Sequence, residues 1–469
     1  MSFKPWTQTG RYALLISLAL QVCPAFSQAQ KEHSAEAAYN RAKLTMQMGR
    51  PHAAISQLES ALEQHPEHDA GRVSLSMLLA EAYRASANDK LAAQTLEAVL
   101  PEKPRSAELR FQLAQAYAAL GSYDASVEQY REGLRLKADD CAGLLGFGKA
   151  LLELGKASEA ISWLRKYLRL RPEDAEGYYV LGRAFRDSGQ LAEAIAMFAT
   201  AVHLSPGNYD MRYQFATTLW KNGDREAALR EFEAAERLKP DEVPVHSALA
   251  RLLSEVGRNQ QAREESAAAE RLIARQREVD RASFCIAKGN ALLQRGELKD
   301  AEAQFREALE LDPQSARARA NLGLALALLN APQDGERELQ KAIALDPKLA
   351  LAHNALGVSY VEQGRAAEAK AAFERAIRID PEYAEAKNNL GALYARLGKD
   401  AEAVALFQQA IEDSPQYPQS YLNWGLVLAN QGNASAAKAM FEKALRLAPG
   451  LAQARKALQI VQGDTKPQQ

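Results

Sequence analysis

The sequence is short of most features that mark a catalytic, nucleic-acid-binding or membrane protein. Neither charge is in surplus: 58 Lys and Arg stand against 59 Asp and Glu, a net −1 over 469 residues. Nucleic acid and anionic lipid both require a clear basic excess, so no nucleic-acid partner is expected. Aromatic residues make up only 7% while hydrophobic residues reach 47%. Strands would draw on aromatic and β-branched side chains, so this pairing points to Ala- and Leu-rich helices. No phosphate loop, metal-spaced cysteine pair or nucleophile elbow occurs. The closest histidines, His65 and His68 in "HPEH", fall in a connecting loop, where solvated side chains are the ordinary reading. The sequence therefore gives no reason to expect an enzyme, a cofactor or a bound metal.

Long apolar runs are also missing, apart from one near the start. "MSFKPWTQTGR" carries Lys4 and Arg11, "YALLISLALQV" is apolar, and "CPAFSQAQ" is rich in small residues. That three-part form is that of a secretory signal peptide covering residues 1–27, with Ala25 and Ser27 placed for cleavage before Gln28. The apolar run falls short of the ~20 residues needed to span a bilayer, so no transmembrane span is expected once the signal is removed. An exported, periplasmic or secreted location follows. Lipoprotein anchoring at Cys23 is the second reading, because Val22 stands where a lipidated cysteine normally follows a small residue. The remaining cysteines, Cys141 and Cys285, are 144 residues apart and read as packing residues rather than a disulfide.

What the chain does have is a period. Prolines fall at 172, 206 and 240, then at 313, 347, 381, 415 and 449, always 34 residues apart within each group. Alignment on them yields twelve units, the first starting near Ala35 and the last ending near Leu451. The eighth position of each unit is always Gly or Ala, from Ala42 to Gly425, and the twentieth is Ala except at Ser126 and Gly335. Small residues recur where two helices cross closely, and large ones such as Leu390, Tyr394 and Phe407 fill the space around the crossing. A Gly near the fifteenth position (Gly155, Gly189, Gly223, Gly364, Gly398, Gly432) ends the first helix, and the proline ends the second. The phrase "NNLGALYARLG" (388–398) and its near-copies are first helices of such units.

This pattern resembles the tetratricopeptide repeat. The resemblance implies an all-α fold, a right-handed superhelical solenoid of about twelve helix-turn-helix repeats, each burying the apolar face of its neighbour. Two arrays are expected: 35–276, of about seven repeats, and 282–451, of about five, after a linker at 28–34. Between Gly257 and Gly289 there is neither Gly nor Pro, and the five residues "REVDR" (277–281) fall outside the period. A long or nearly continuous helix is expected there, with 277–281 as an insertion within it. Residues 452–462 read as a capping helix and 463–469 as a disordered tail.

The resemblance also implies a function: a protein or peptide partner held along a concave groove lined by first helices. Two patches stand out on that surface. The middle repeats place Tyr179, Arg183, Arg186, Tyr213 and Trp220 there, with Phe111 and Lys149, and aromatic and Arg side chains are what binding hot spots favour. Some of these aromatics could equally pack between helices. The later repeats carry Asn321, Asn389 and Asn423 at the sixth position, similar to the asparagine ladder in the repeat arm of O-GlcNAc transferase. There the amides hydrogen-bond the backbone of an extended peptide. Ala355 interrupts the row here, with Asn354 displaced by one position. The Lys and Asn clamp of chaperone-binding relatives is not matched, since Ile286 accompanies Asn290. The expected function is an exported interaction scaffold for an extended segment. The alternatives are an assembly subunit of a secretion, pilus or polysaccharide apparatus, in which self-association is possible, or an accessory arm for an enzyme in trans.

Overall fold

In the computed structural model the described residues are 24–64 and 71–463, with side chains from Ala35 onward. The signal-peptide residues before Pro24, Cys23, the His65 and His68 pair and the tail beyond Gly463 lie outside them. All described elements are helices, in two compact units that meet in sequence at Leu120 and Gly121.

The repeat begins with a cap. Ser106, Asp140, Asp174, Asn208 and Ser315 each accept a hydrogen bond from the backbone N–H three residues on, opening helices of 13 or 14 residues. Each such helix is stopped at the fifteenth position, where the backbone turns left-handed: Gly155 has φ +72° and Gly223 φ +94°. Two repeats make the same turn without glycine, at Ala87 (φ +56°) and Asn330 (φ +63°). The second helix, as in Leu298–Leu311, Pro332–Leu345 and Asp400–Asp413, then runs for 14 residues to the proline turn.

Packing follows from the small eighth position. A Cβ placed on Gly425 would lie 2.5 Å from Cε1 of Phe441, and one on Gly391 would lie 2.7 Å from Cε1 of Phe407. The missing side chain is thus the seat of the phenylalanine ring from the second helix. Phe198, Phe305, Phe373, Phe407 and Phe441 are all fully buried in this way, and Phe232 is as buried in a repeat whose eighth position is Ala216. The close seat leaves little room for change, because interiors are packed to crystal-like density.

The first unit contains the helices Pro24–Gln47, Pro51–Gln64, Arg72–Ala85, Asp89–Val99 and Ala107–Ala119. Residues 28–34, expected as a linker, are helical. Its core is built from Leu58, Leu75, Leu79, Leu96, Leu109 and Leu113 with the alanines between them.

In the second unit the helix Asn259–Gln294 runs unbroken for 36 residues. Its N-terminal part packs on Val243–Glu255 as a second helix, and its C-terminal part packs on Leu298–Leu311 as a first helix. None of its buried residues falls between Ala269 and Ala282, so 277–281 sits in the solvated middle. Several successive first helices in this unit touch one another, among them Cys141–Glu153 with Ala175–Asp187 and, most closely, Ala316–Leu328 with Ala350–Glu362, and successive second helices make no comparable contact. Where they touch, the first helices lie on the inner side of the local curve. The terminal helix Ala452–Gln462 packs on Ala434–Leu447 and Pro418–Asn430 and ends at Gly463 in a left-handed cap. Cys141 and Cys285 are free thiols.

Candidate functional site

The inner face is made by residues at fixed places on the first helices, and several of them are tied to an adjacent repeat. Arg183 donates Nη2 to Oε1 of Glu153 at 3.0 Å, and Lys149 reaches Glu176 at 3.0 Å. Arg186 bonds Gln214 in the following repeat and Asp187 beside it. Trp220 donates its indole N–H to Oε2 of Glu255 at 2.9 Å, while Arg251 lies over its ring at 5.3 Å. Tyr213 stacks on Tyr209 at 5.8 Å and meets Phe232 edge-on at 5.5 Å. Tyr179 leans on Phe198 at 5.9 Å. Its hydroxyl pKa is raised, by burial above all. Tyr179, Arg183, Arg186, Tyr213 and Trp220 remain partly accessible and Lys149 is exposed, whereas Phe111 is buried and belongs to the packing. Fixing long side chains beforehand lowers the entropy lost when something binds them.

The later repeats carry a run of paired amides. Asn321 donates Nδ2 to Oδ1 of Asn290 at 2.7 Å, Asn389 to Asn354 at 3.0 Å, and Asn423 to Asn388 at 2.9 Å. Each bond crosses from one first helix to the one before it. Asn354, one position off the row, is the acceptor for Asn389, and its own amide faces the Tyr383 hydroxyl at 3.4 Å. Asn321, Asn354 and Asn388 are buried, while Asn389 and Asn423 are partly exposed. One bond to a neighbouring amide uses one of its two N–H groups, so an exposed asparagine keeps donor and acceptor capacity for a ligand. Just beneath, Lys387 and Asp413 form a buried ion pair.

Two features escaped the sequence reading. The first unit has a cleft of about 470 Å³ lined by Tyr39, Met77 and three acids, Glu36, Glu81 and Glu108. The three helices that supply them meet only in the fold. The second is a recurring latch at the fourth position of the first helix, whose side chain reaches back to the carbonyl of the turn proline six residues earlier. Arg110, Arg212, His246, Arg319, His353, Tyr421 and Arg455 all do so. Comparing that column of the repeat would have exposed it, because nearly every member carries a donor.

With this geometry the family matches are consistent. Models of the tetratricopeptide repeat match residues 45–110, 145–209, 185–252, 354–418 and 418–450. A TPR repeat model matches 289–330, and a model of YpiA-like C-terminal tetratricopeptide repeats matches 108–174. The chain is a tetratricopeptide repeat protein. Among solved structures, this TPR protein is similar to a thermophilic TPR protein of Thermus thermophilus at 22% identity, over 39% of this chain and 98% of that one, with a TM-score of 0.36. A TPR protein of Parabacteroides merdae matches at 18% identity, over 61% and 98%, with a TM-score of 0.33. MamA of Desulfovibrio magneticus matches at 22% identity, over 36% and 97%, with a TM-score of 0.35. No curated protein matches the chain. TPR repeats serve protein–protein interaction, and the chain has the architecture of such a scaffold. Among the described residues no helix is long and apolar enough to cross a membrane.

Proposed function

We propose that this TPR protein is an exported scaffold whose inner face holds an extended segment of a partner protein, with no chemistry of its own. The observation that carries this reading is the run of paired amides. Asn389 and Asn423 stand on adjacent first helices, each aligned by a bond to a buried asparagine. A row of oriented amides at repeat spacing suits a peptide backbone, which offers one N–H and one C=O per residue. Asn321, buried against Asn290, supports the row from within. Tyr179, Arg183, Arg186, Tyr213 and Trp220 would supply side-chain selectivity farther along. Export rests on the form of residues 1–27, with periplasmic or secreted as the destination.

The test is cross-linking of the full chain in its native host. A photoreactive residue placed at Asn423, and another at Arg183, should capture a partner, while one at Glu374 on a second helix should not. Capture only from second-helix positions would overturn the groove reading. Asn389→Ala with Asn423→Ala should weaken the captured complex without lowering the melting temperature by more than a few degrees.

A second reading, self-association or assembly, is favoured by one observation. Leu136, Leu170, Leu204 and Leu238 recur at the same place near the ends of second helices, each about 40% exposed (38–44%). Light scattering across a concentration series decides it: a mass that rises with concentration and drops for Leu170→Glu supports self-assembly, and a constant monomer mass removes it.

A further inference from the structure

In two repeats the fourth-position latch carries a permanent cation with one carboxylate. Arg212 donates to Pro206 O at 3.0 Å and to Glu231 at 2.7 Å. Arg319 donates to Pro313 O at 2.9 Å and to Glu338 at 3.0 Å. In both, the acid lies 19 residues after the base, on the second helix of the same repeat. His246 stands in the same place, with Glu265 also 19 residues on. Its Nε2 is 2.7 Å from Pro240 O and its Nδ1 is 2.7 Å from Oε2 of Glu265. The ring is buried, with 6% of its surface exposed.

A carbonyl oxygen only accepts, so the Nε2 proton is fixed by Pro240. The neutral ring then directs the Nδ1 lone pair at a carboxylate oxygen, and two acceptors face each other. Something positive must stand between them, either a proton or a metal ion. Burial works against the charged ring, but the bonds to Pro240 O and Glu265 and the nearby carboxylate charges raise its pKa.

A third group separates this site from its sister repeats. Glu236, from the preceding second helix Arg225–Leu238, brings a carboxylate oxygen to the same spot, and the three donor atoms all lie within 4.8 Å of one another. Glu236 occupies the twenty-eighth position of its repeat. Ten of the twelve repeats have Leu, Ile or Val there, among them Val202 and Leu309, which precede the Arg212 and Arg319 latches at the same spacing. An acid has thus replaced a packing residue at the repeat interface where the latch is histidine. Burial, followed by repulsion from Glu265, raises the Glu236 pKa, as expected for two carboxylates held together. A proton on His246 leaves this group with a net charge of −1. A divalent ion bound by a neutral ring and two carboxylates brings it to zero.

We propose that His246 Nδ1, Glu265 and Glu236 form a binding site for one divalent transition-metal ion of the zinc type, clamping three helices at one repeat interface. One imidazole and two carboxylates form a nitrogen–oxygen set that zinc accepts, with a fourth position left for water. The Nε2–H···O=C bond to Pro240 is the outer contact that orients a metal-bound histidine. Bonds of about 2.0–2.1 Å hold tetrahedral ligands roughly 3.3 Å apart, so Nδ1 and Oε2 need to separate by only about half an ångström.

The experiment uses the full chain, stripped with chelator and then titrated with zinc chloride by calorimetry at pH 7.5, with Co2+ as a spectroscopic probe. Two variants restore residues found at the same positions of other repeats: Glu236→Leu and His246→Arg. Expected are one zinc ion per wild-type chain, a higher melting temperature with zinc than with chelator, and visible Co2+ absorption. Each variant should bind more than about tenfold more weakly and lose the thermal shift. Glu236→Leu keeps the test decisive even if His246→Arg disturbs folding. Failure of the folded wild type to bind zinc, or equal affinity in wild type and Glu236→Leu, overturns the proposal. A proton alone would then be the cation at this interface.

Discussion

His246 and His353 occupy the same place in their repeats, and each holds Nε2 against the carbonyl of the proline six residues earlier, at 2.7 and 3.1 Å. Their surroundings move them in opposite directions. His246 faces carboxylates and is raised, whereas at His353 burial, reinforced by the Arg375 charge, outweighs the Pro347 carbonyl and lowers the pKa below 6.5. One column of the repeat thus holds either a cation or a neutral ring, according to what the adjoining helices bring to it.

Lowering the His353 pKa makes the folded repeat resist protonation. The neutral ring contributes stability above about pH 6.5, and that contribution is lost as pH falls through the lowered folded value, because the unfolded chain takes up the proton more readily. Melting temperature should therefore decline below about pH 6.5. His353→Tyr, copying Tyr421 at the same place, should keep the proline latch and flatten that decline. An unchanged acid limb would show that His353 does not titrate as described.

Gly391 seats the Phe407 ring, and a Cβ there would also stand 3.2 Å from the Ala403 carbonyl. Gly391→Ala should cost about 1–3 kcal/mol by overpacking. Hydrogen exchange should show protection lost first in the repeats around 384–413 and retained longer near 141–204, as expected when each repeat leans only on its neighbours. Uniform loss along the chain would contradict this.

Ala87 makes a left-handed turn that ten sister repeats make with glycine. A Cβ in that conformation costs roughly 1–2 kcal/mol, partly offset by the greater unfolded-state freedom of glycine. Ala87→Gly should stabilise the first unit by up to about 1 kcal/mol, measured by denaturant midpoint at constant slope.

Lys387 and Asp413 are 3% and 4% exposed and pair with each other. Lys387→Leu alone should destabilise by about 3–5 kcal/mol, since a buried carboxylate loses its cation. Leu136, Leu170 and Leu204 occupy the Asp413 place in other repeats, so adding Asp413→Leu should recover most of the loss. A double variant no better than the single would show that the pair is not what holds this site.

The period carried much of this in advance. Small residues at fixed intervals, a left-handed turn residue and a terminal proline each have one physical use, and together they define the helix pair and its stacking. What stayed hidden depends on how one repeat is staggered against the next. Asn389 reaches Asn354 and Trp220 reaches Glu255, each 35 residues away, while Arg186 reaches Gln214, only 28 away. A single period does not yield both spacings. The His246 cluster was hidden for a related reason: its members come from three helices, and Glu236 looks like an ordinary surface acid until it is compared with the aliphatic residues of its column.

The unbroken helix Asn259–Gln294 has a consequence for phase. Along an α-helix each residue adds about 100° of rotation and 1.5 Å of rise. The five residues at 277–281 therefore turn everything after them by about 140° beyond one full revolution and displace it by roughly 7.5 Å. Deleting any one of them would leave both helix halves intact while re-aiming the amide row by about 100° relative to the Tyr179–Trp220 patch. The length of this helix acts as a setting for which partner surfaces can be met at once.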